Sequence, residues 1–187
     1  MSMWQTGRTQ YLLNQVALSN SIRRLWVNNN QWIRALIFSI LYGIGDQQAI
    51  EERLRQNAEE FATLFAQFYG QETANRVREN YVRYVQALTR MIEAYRDNDI
   101  STIATQREVL YQVADELAQI YSEINRYWDR ATLQILIYEL VNFTENQIMR
   151  TVGGDFTQSI QEYDEFMEQG YRLSDELTAG ILRQFQV

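Results

Sequence analysis

WIRALIFSILYGI, residues 32–44, is the longest apolar run in the chain, and its reading decides the fold. Its thirteen residues, interrupted by Arg34, fall short of the roughly 20 apolar residues that a membrane-spanning helix needs. The run predicts a buried core helix instead. Ile22, Trp26, Ile33, Ile37 and Ile40 recur on one helical face, which predicts a first helix from Ser19 to Tyr42. Gly43-Ile44-Gly45-Asp46 then supplies a C-terminal stop followed by an N-cap.

The same grammar continues downstream. A second helix over 47–69 turns Ile50, Leu54, Phe61, Leu64, Phe65 and Phe68 inward and ends at Gly70. A third, from Gln71, carries Val77, Tyr81, Val85, Leu88 and Ile92 and stops at Asp97-Asn98-Asp99. Ser101 or Thr102 is the expected cap of a fourth, striped by Val109, Val113, Leu117, Ile120 and Ile124. Asn125 to Trp128 read as a short break before a fifth helix near Asp129, with Leu133, Ile137, Leu140, Val141 and Ile148 inward. Gly153-Gly154-Asp155 repeats the stop and cap, and the last helix carries Phe166, Leu173, Leu177 and Ile181, with Gly170 as a place to bend. The chain has no proline, so glycine and capping residues do all the punctuation. The expectation is all-α: an antiparallel helical bundle of five to six helices around a four-helix-bundle core. It places one domain over residues 19–187, preceded by residues 1–18 as an N-terminal arm or a short extra helix.

Composition narrows the chemistry. All seventeen basic residues are arginine, and there is no lysine, histidine or cysteine. Imidazole bases, thiolate nucleophiles and Schiff-base amines are therefore absent, as are soft metal ligands. The Glu-x-x-His pairs of a di-iron bundle cannot be built, which removes the metal centre this fold would otherwise suggest. The expectation is a protein with no catalytic role, cofactor or metal. A net charge of −7 argues against nucleic acid as a partner. No transmembrane segment is expected either.

Several short motifs resemble a small all-α bacterial family, largely Gram-positive, whose members often carry names such as acetylglutamate kinase or glycosyltransferase. They are Leu25-Trp26, Trp32-Ile33-Arg34, Asn57, Phe68-Tyr69-Gly70, Tyr127-Trp128, Tyr163-Asp164 and the stretch from Leu173 to Ile181 with Gln184-Phe185. The resemblance implies a helical fold and no reaction.

Two groups of residues are candidate sites. Arg34 and Glu139 are charged positions inside apolar stretches, and burying either alone would be costly. With Asn57 and Asp164 they are the candidate lining of a polar pocket between helices, which would make the chain a small-molecule or ion-binding bundle. The second group follows from charge. Residues 1–45 hold four arginines and no acid, whereas 155–187 hold seven acids against two arginines. A basic start and an acidic end can pair within one molecule or between copies, and pairing between copies propagates. Trp4, Tyr11, Leu12, Arg23 and Arg24 at one end, with Glu162, Glu165, Glu168, Asp175 and Glu176 at the other, are the candidate interface. The leading expectation is a structural protein that self-assembles into a homo-oligomer or filament. Composition leaves the compartment open, and the filament reading favours the cell surface or exterior over the cytoplasm.

Overall fold

The computed structural model describes residues 3–186, with side chains from Leu12 onward, so Trp4 and Tyr11 lie outside the described side chains. Five helical elements follow one another: α1 (Met3–Tyr42), α2 (Gln47–Asp97), α3 (Ile100–Ile124), α4 (Arg130–Val152) and α5 (Phe156–Phe185). No strand occurs among the described residues, and the protein is an all-α bundle.

α2 is two helices joined at one residue. Gly70 takes φ 80° and ψ 170°, a left-handed conformation that L side chains rarely adopt. Cross-contacts show that the chain reverses there. Gln47 Nε2 donates to Glu93 Oε1 at 3.0 Å, and the Phe61 and Tyr81 rings lie 5.6 Å apart. The limbs 47–69 and 71–97 are thus antiparallel partners, as the sequence predicts for a stop at Gly70.

Six helical segments result, each antiparallel to the next. Arg76 pairs with Glu123 and Arg83 with Glu116 between the second limb of α2 and α3. Tyr138 on α4 donates to Asp115 on α3, and Gln169 on α5 donates to the Leu136 carbonyl on α4. α1 runs beside α2 and also beside α5, closing the array into a ring. The four-helix core expected from the sequence is thereby widened to six segments. Inward stripes from all six meet in one continuous core that includes Ile33, Leu54, Leu88, Val113, Leu133 and Leu173.

The ring has two poles. At one lie Gly70, the loop 125–129 and the end of α5. There Tyr69 packs against Trp128 at 5.5 Å and Phe185 at 5.3 Å, and Asn125 Nδ2 donates to the Tyr69 hydroxyl at 2.7 Å. At the other lie the turns 43–46, 98–99 and 153–155. Aspartates start three helices: Asp99, Asp129 and Asp155 each accept a backbone N–H three residues on. For α3 this corrects the sequence reading. Asp99 is the cap, and Thr102 is the residue being capped.

Two further expectations change. α1 continues without a break through Ser19 back to Met3, so the helix begins well before the expected boundary. Nothing in its sequence stops it there, since residues 8–18 contain neither proline nor glycine. Gly170 does not bend α5; it allows close approach. A Cβ there would meet Asn30 Nδ2 at 2.8 Å, and one at Gly180 would meet Trp128 Nε1 at 1.9 Å.

Candidate functional site

The α1–α5 seam answers the charge question first. Arg23 donates through Nε and Nη2 to both carboxylate oxygens of Asp175, at 2.9 and 2.8 Å, and faces the Tyr171 ring. The basic start and acidic end of the chain therefore meet inside one molecule, and the pair that charge skew suggested for a contact between copies is made in cis. Glu162 accepts from Asn146 on α4, and Glu176 offers its carbonyl to the Trp128 indole. Arg24, Glu165 and Glu168 are exposed, with no ion pair among the described residues.

The four pocket candidates do not share a cavity. Arg34 lies between the Phe38 and Tyr163 rings, at 5.0 and 4.8 Å, and donates to Gln147 Oε1 and the Ser159 carbonyl. Burial pulls its pKa down, and the electrostatic influence of Tyr163 and Asp164 opposes that. Asn57 is fully buried elsewhere, where its amide donates to the Leu25 carbonyl and to the Tyr81 hydroxyl. Asp164 and Glu139 are exposed. Glu139 sits two residues after the buried Ile137, which rotates it away from the core face.

The buried carboxylate is Glu145, which the sequence reading did not place among the pocket residues. It accepts the Tyr95 hydroxyl at 2.7 Å and a two-nitrogen fork from Arg107, whose Nε lies 2.8 Å from Oε2. Burial alone would raise its pKa. Hydrogen bonds from Arg107 and Tyr95 and the Arg107 charge outweigh that, and the carboxyl is held below the ordinary glutamate value. A signal was present: Val141, Glu145 and Ile148 follow the helical spacing of the buried stripe, so a charge there needs a partner. With both carboxylate oxygens engaged by its own chain, the cluster is a staple joining α2, α3 and α4.

The opposite end of α1 is the open part of the surface. In the register set by Arg23–Asp175 and Asn30–Phe166, the last turn of α5 lies near Leu13. The first limb of α2 ends at Tyr69, alongside the same part of α1. Leu12, Leu13 and Val16 are each more than half exposed. Beside them an open groove of about 530 Å³ runs between α1 and the first limb of α2, lined by apolar residues such as Leu18, Leu64 and Phe68 and by polar and charged ones such as Arg24, Glu60 and Gln67. Among the described residues no group of three or more carboxylates is arranged to hold a metal ion, and no helix is long and apolar enough to cross a membrane.

Compared with protein-family models, curated proteins and solved structures, the chain matches none.

Proposed function

We propose that the protein is a non-catalytic structural protein that self-associates through the N-terminal end of α1. The observation that carries this reading is the exposed ridge of Leu12, Leu13 and Val16 beside a groove of mixed lining, with Leu18, Leu25, Leu64 and Phe68 among its apolar residues, on the same chain. Three large apolar side chains in five residues of one helix form a local patch rather than scattered exposure. A second copy is the occupant, because ridge and groove are complementary in character and both belong to every molecule. Where the ridge of one copy enters the groove of the next without the exchange being returned, the contact is heterologous and leaves a ridge and a groove free for further copies. Repetition then builds a filament, the form expected of a protein at the cell surface or exterior. The residue set supports a non-catalytic role, since it supplies no imidazole, thiol or amine to activate a nucleophile.

The test is particle mass by light scattering for the full chain, for a chain lacking residues 1–13, and for Leu12→Glu/Val16→Glu. The truncation keeps Leu18 and Ile22, which pack on the core. Oligomers or filaments are expected from the full chain and monomers from both variants. A full chain that stays monomeric at high concentration overturns the proposal.

A further inference from the structure

The core contains a cavity of about 40 Å³ at mid-height of the ring, reached by side chains from all six helical segments. Half of its lining residues are aromatic: Trp26, Phe61, Tyr81, Tyr84, Tyr121 and Phe166. Beside the hydroxyls of the lining tyrosines, two buried polar atoms among the lining residues lack a partner. The Trp26 indole N–H has no acceptor, and Asn29 Oδ1 has no donor. Both residues are more than nine-tenths buried, and both belong to the cavity lining. They lie three residues apart on α1, so helical geometry sets them on one face, about a turn apart.

Orphaned buried donors and acceptors are rare in folded proteins, because each costs free energy unless a partner is present, and here one of each belongs to the lining of a single cavity. The Asn29 amide already donates to Asn30 Oδ1 at 3.3 Å, which leaves its carbonyl oxygen as the group in need. Only a guest that both accepts and donates satisfies the two together. No charged group lines the cavity, so an ion would lack a counter-charge there. One water needs roughly 10–15 Å³ of such space, so the cavity has room for at least one. A benzene-sized guest, which occupies an engineered cavity of about 150 Å³, is far too large.

We propose that this cavity is a built water site, in which an ordered water accepts from Trp26 Nε1–H and donates to Asn29 Oδ1, linking successive turns of α1 where they face the core. The water gives each orphaned group the partner that the surrounding side chains do not supply.

Two measurements test the proposal on the intact chain. In solution, rotating-frame cross-relaxation is recorded between tryptophan indole protons and water. A cross-peak is expected for Trp26, lost in Trp26→Phe and retained in the control Trp32→Phe. A second measurement uses a wild-type crystal pressurised with xenon, and so needs no variant to fold. A polar, hydrated site excludes xenon, whereas a dry apolar one takes it up. Ordered water density between the two side chains with no xenon supports the proposal. Xenon bound in the cavity, or no cross-peak from the Trp26 indole, overturns it.

Discussion

Gly180→Ala should destabilise this protein, although alanine is the better helix former by about 1 kcal/mol. Gly180 lies within α5 beneath the Trp128 indole, which is buried and donates from Nε1 to the Glu176 carbonyl at 3.1 Å. A Cβ at 180 would stand 1.9 Å from Nε1, 2.3 Å from Cδ1 and 2.7 Å from Cε2. Real Cβ contacts are essentially never under 3.0 Å, so the indole must move by about an ångström. It cannot do so freely, because the Phe65, Tyr69 and Tyr121 rings pack round it at centroid distances of 6.3, 5.5 and 5.6 Å. Overpacking of this kind costs about 1–3 kcal/mol. Losing the indole hydrogen bond in a buried setting costs about another 1–3 kcal/mol. Set against the propensity gain, the net loss is about 3 kcal/mol. At roughly 2–4 °C per kcal/mol for a chain of this size, Tm falls by about 6–12 °C. Thermal melts followed by circular dichroism read this directly. The decisive companion is Gly180→Ala in a Trp128→Ala background, where the clash is gone and alanine should stabilise. A single variant that melts at or above the wild-type temperature would refute the close-approach argument.

Gly70→Ala should cost about 1–2 kcal/mol in denaturant titration, because alanine must hold the left-handed φ of 80° that reverses the chain, although it meets no steric obstacle there. The pH profile should be flat between roughly pH 6 and 9, because no histidine, lysine or cysteine side chain is present to titrate. Below that range the depressed pKa of Glu145 contributes stability that is present above the ordinary glutamate value and lost as pH falls through the folded value; Glu145→Gln should therefore flatten the acid limb and cost about 1–2 kcal/mol at neutral pH. Above pH 10 the sign reverses. Burial pushes the Tyr69 phenol up to about 12 and raises Tyr81 and Tyr121, so stability present below the unfolded value of 10 is lost as pH climbs toward the folded ones, with tyrosinate absorbance rising alongside unfolding. Exchanging Arg23 and Asp175 should change stability by less than about 1 kcal/mol, measured by a double-mutant cycle, because both side chains are about half exposed.

Much of the fold was legible because its signals are local. Apolar stripes at helical spacing gave the segments, and Gly70 and Asp155 gave a stop and a start without reference to anything distant. The cap at Asp99 was misplaced onto Ser101 or Thr102 because several capping residue types stand in a row there, and only hydrogen-bond geometry distinguishes them. What the sequence withheld was helix phase. Glu139 and Glu145 lie on the same helix within an apolar stretch, yet the first faces solvent and the second joins Arg107 and Tyr95. Comparison with the Val141–Ile148 stripe separates the two positions; apolar surroundings alone do not. Arg34 and Asn57 needed the axial register between helices as well, and a single sequence carries almost none of that. Gly180 gave no local warning, since the residue it accommodates lies 52 positions away.

The closed ring has an order of assembly written into it. Each of the first five pairings joins segments that follow one another along the chain, through turns of a few residues. The sixth brings α1 against α5, and its contacts Arg23–Asp175 and Asn30–Phe166 span 152 and 136 residues. Closing a loop of that length carries the largest entropic cost of any pairing in the molecule. A hairpin array therefore grows rapidly from local contacts, and the seam zips shut at the end. Run in reverse, the same seam is the first place to part. Amide protons on α1 and α5 should then exchange through a smaller opening than those on the second limb of α2 and α3, whose partners are their own neighbours in sequence.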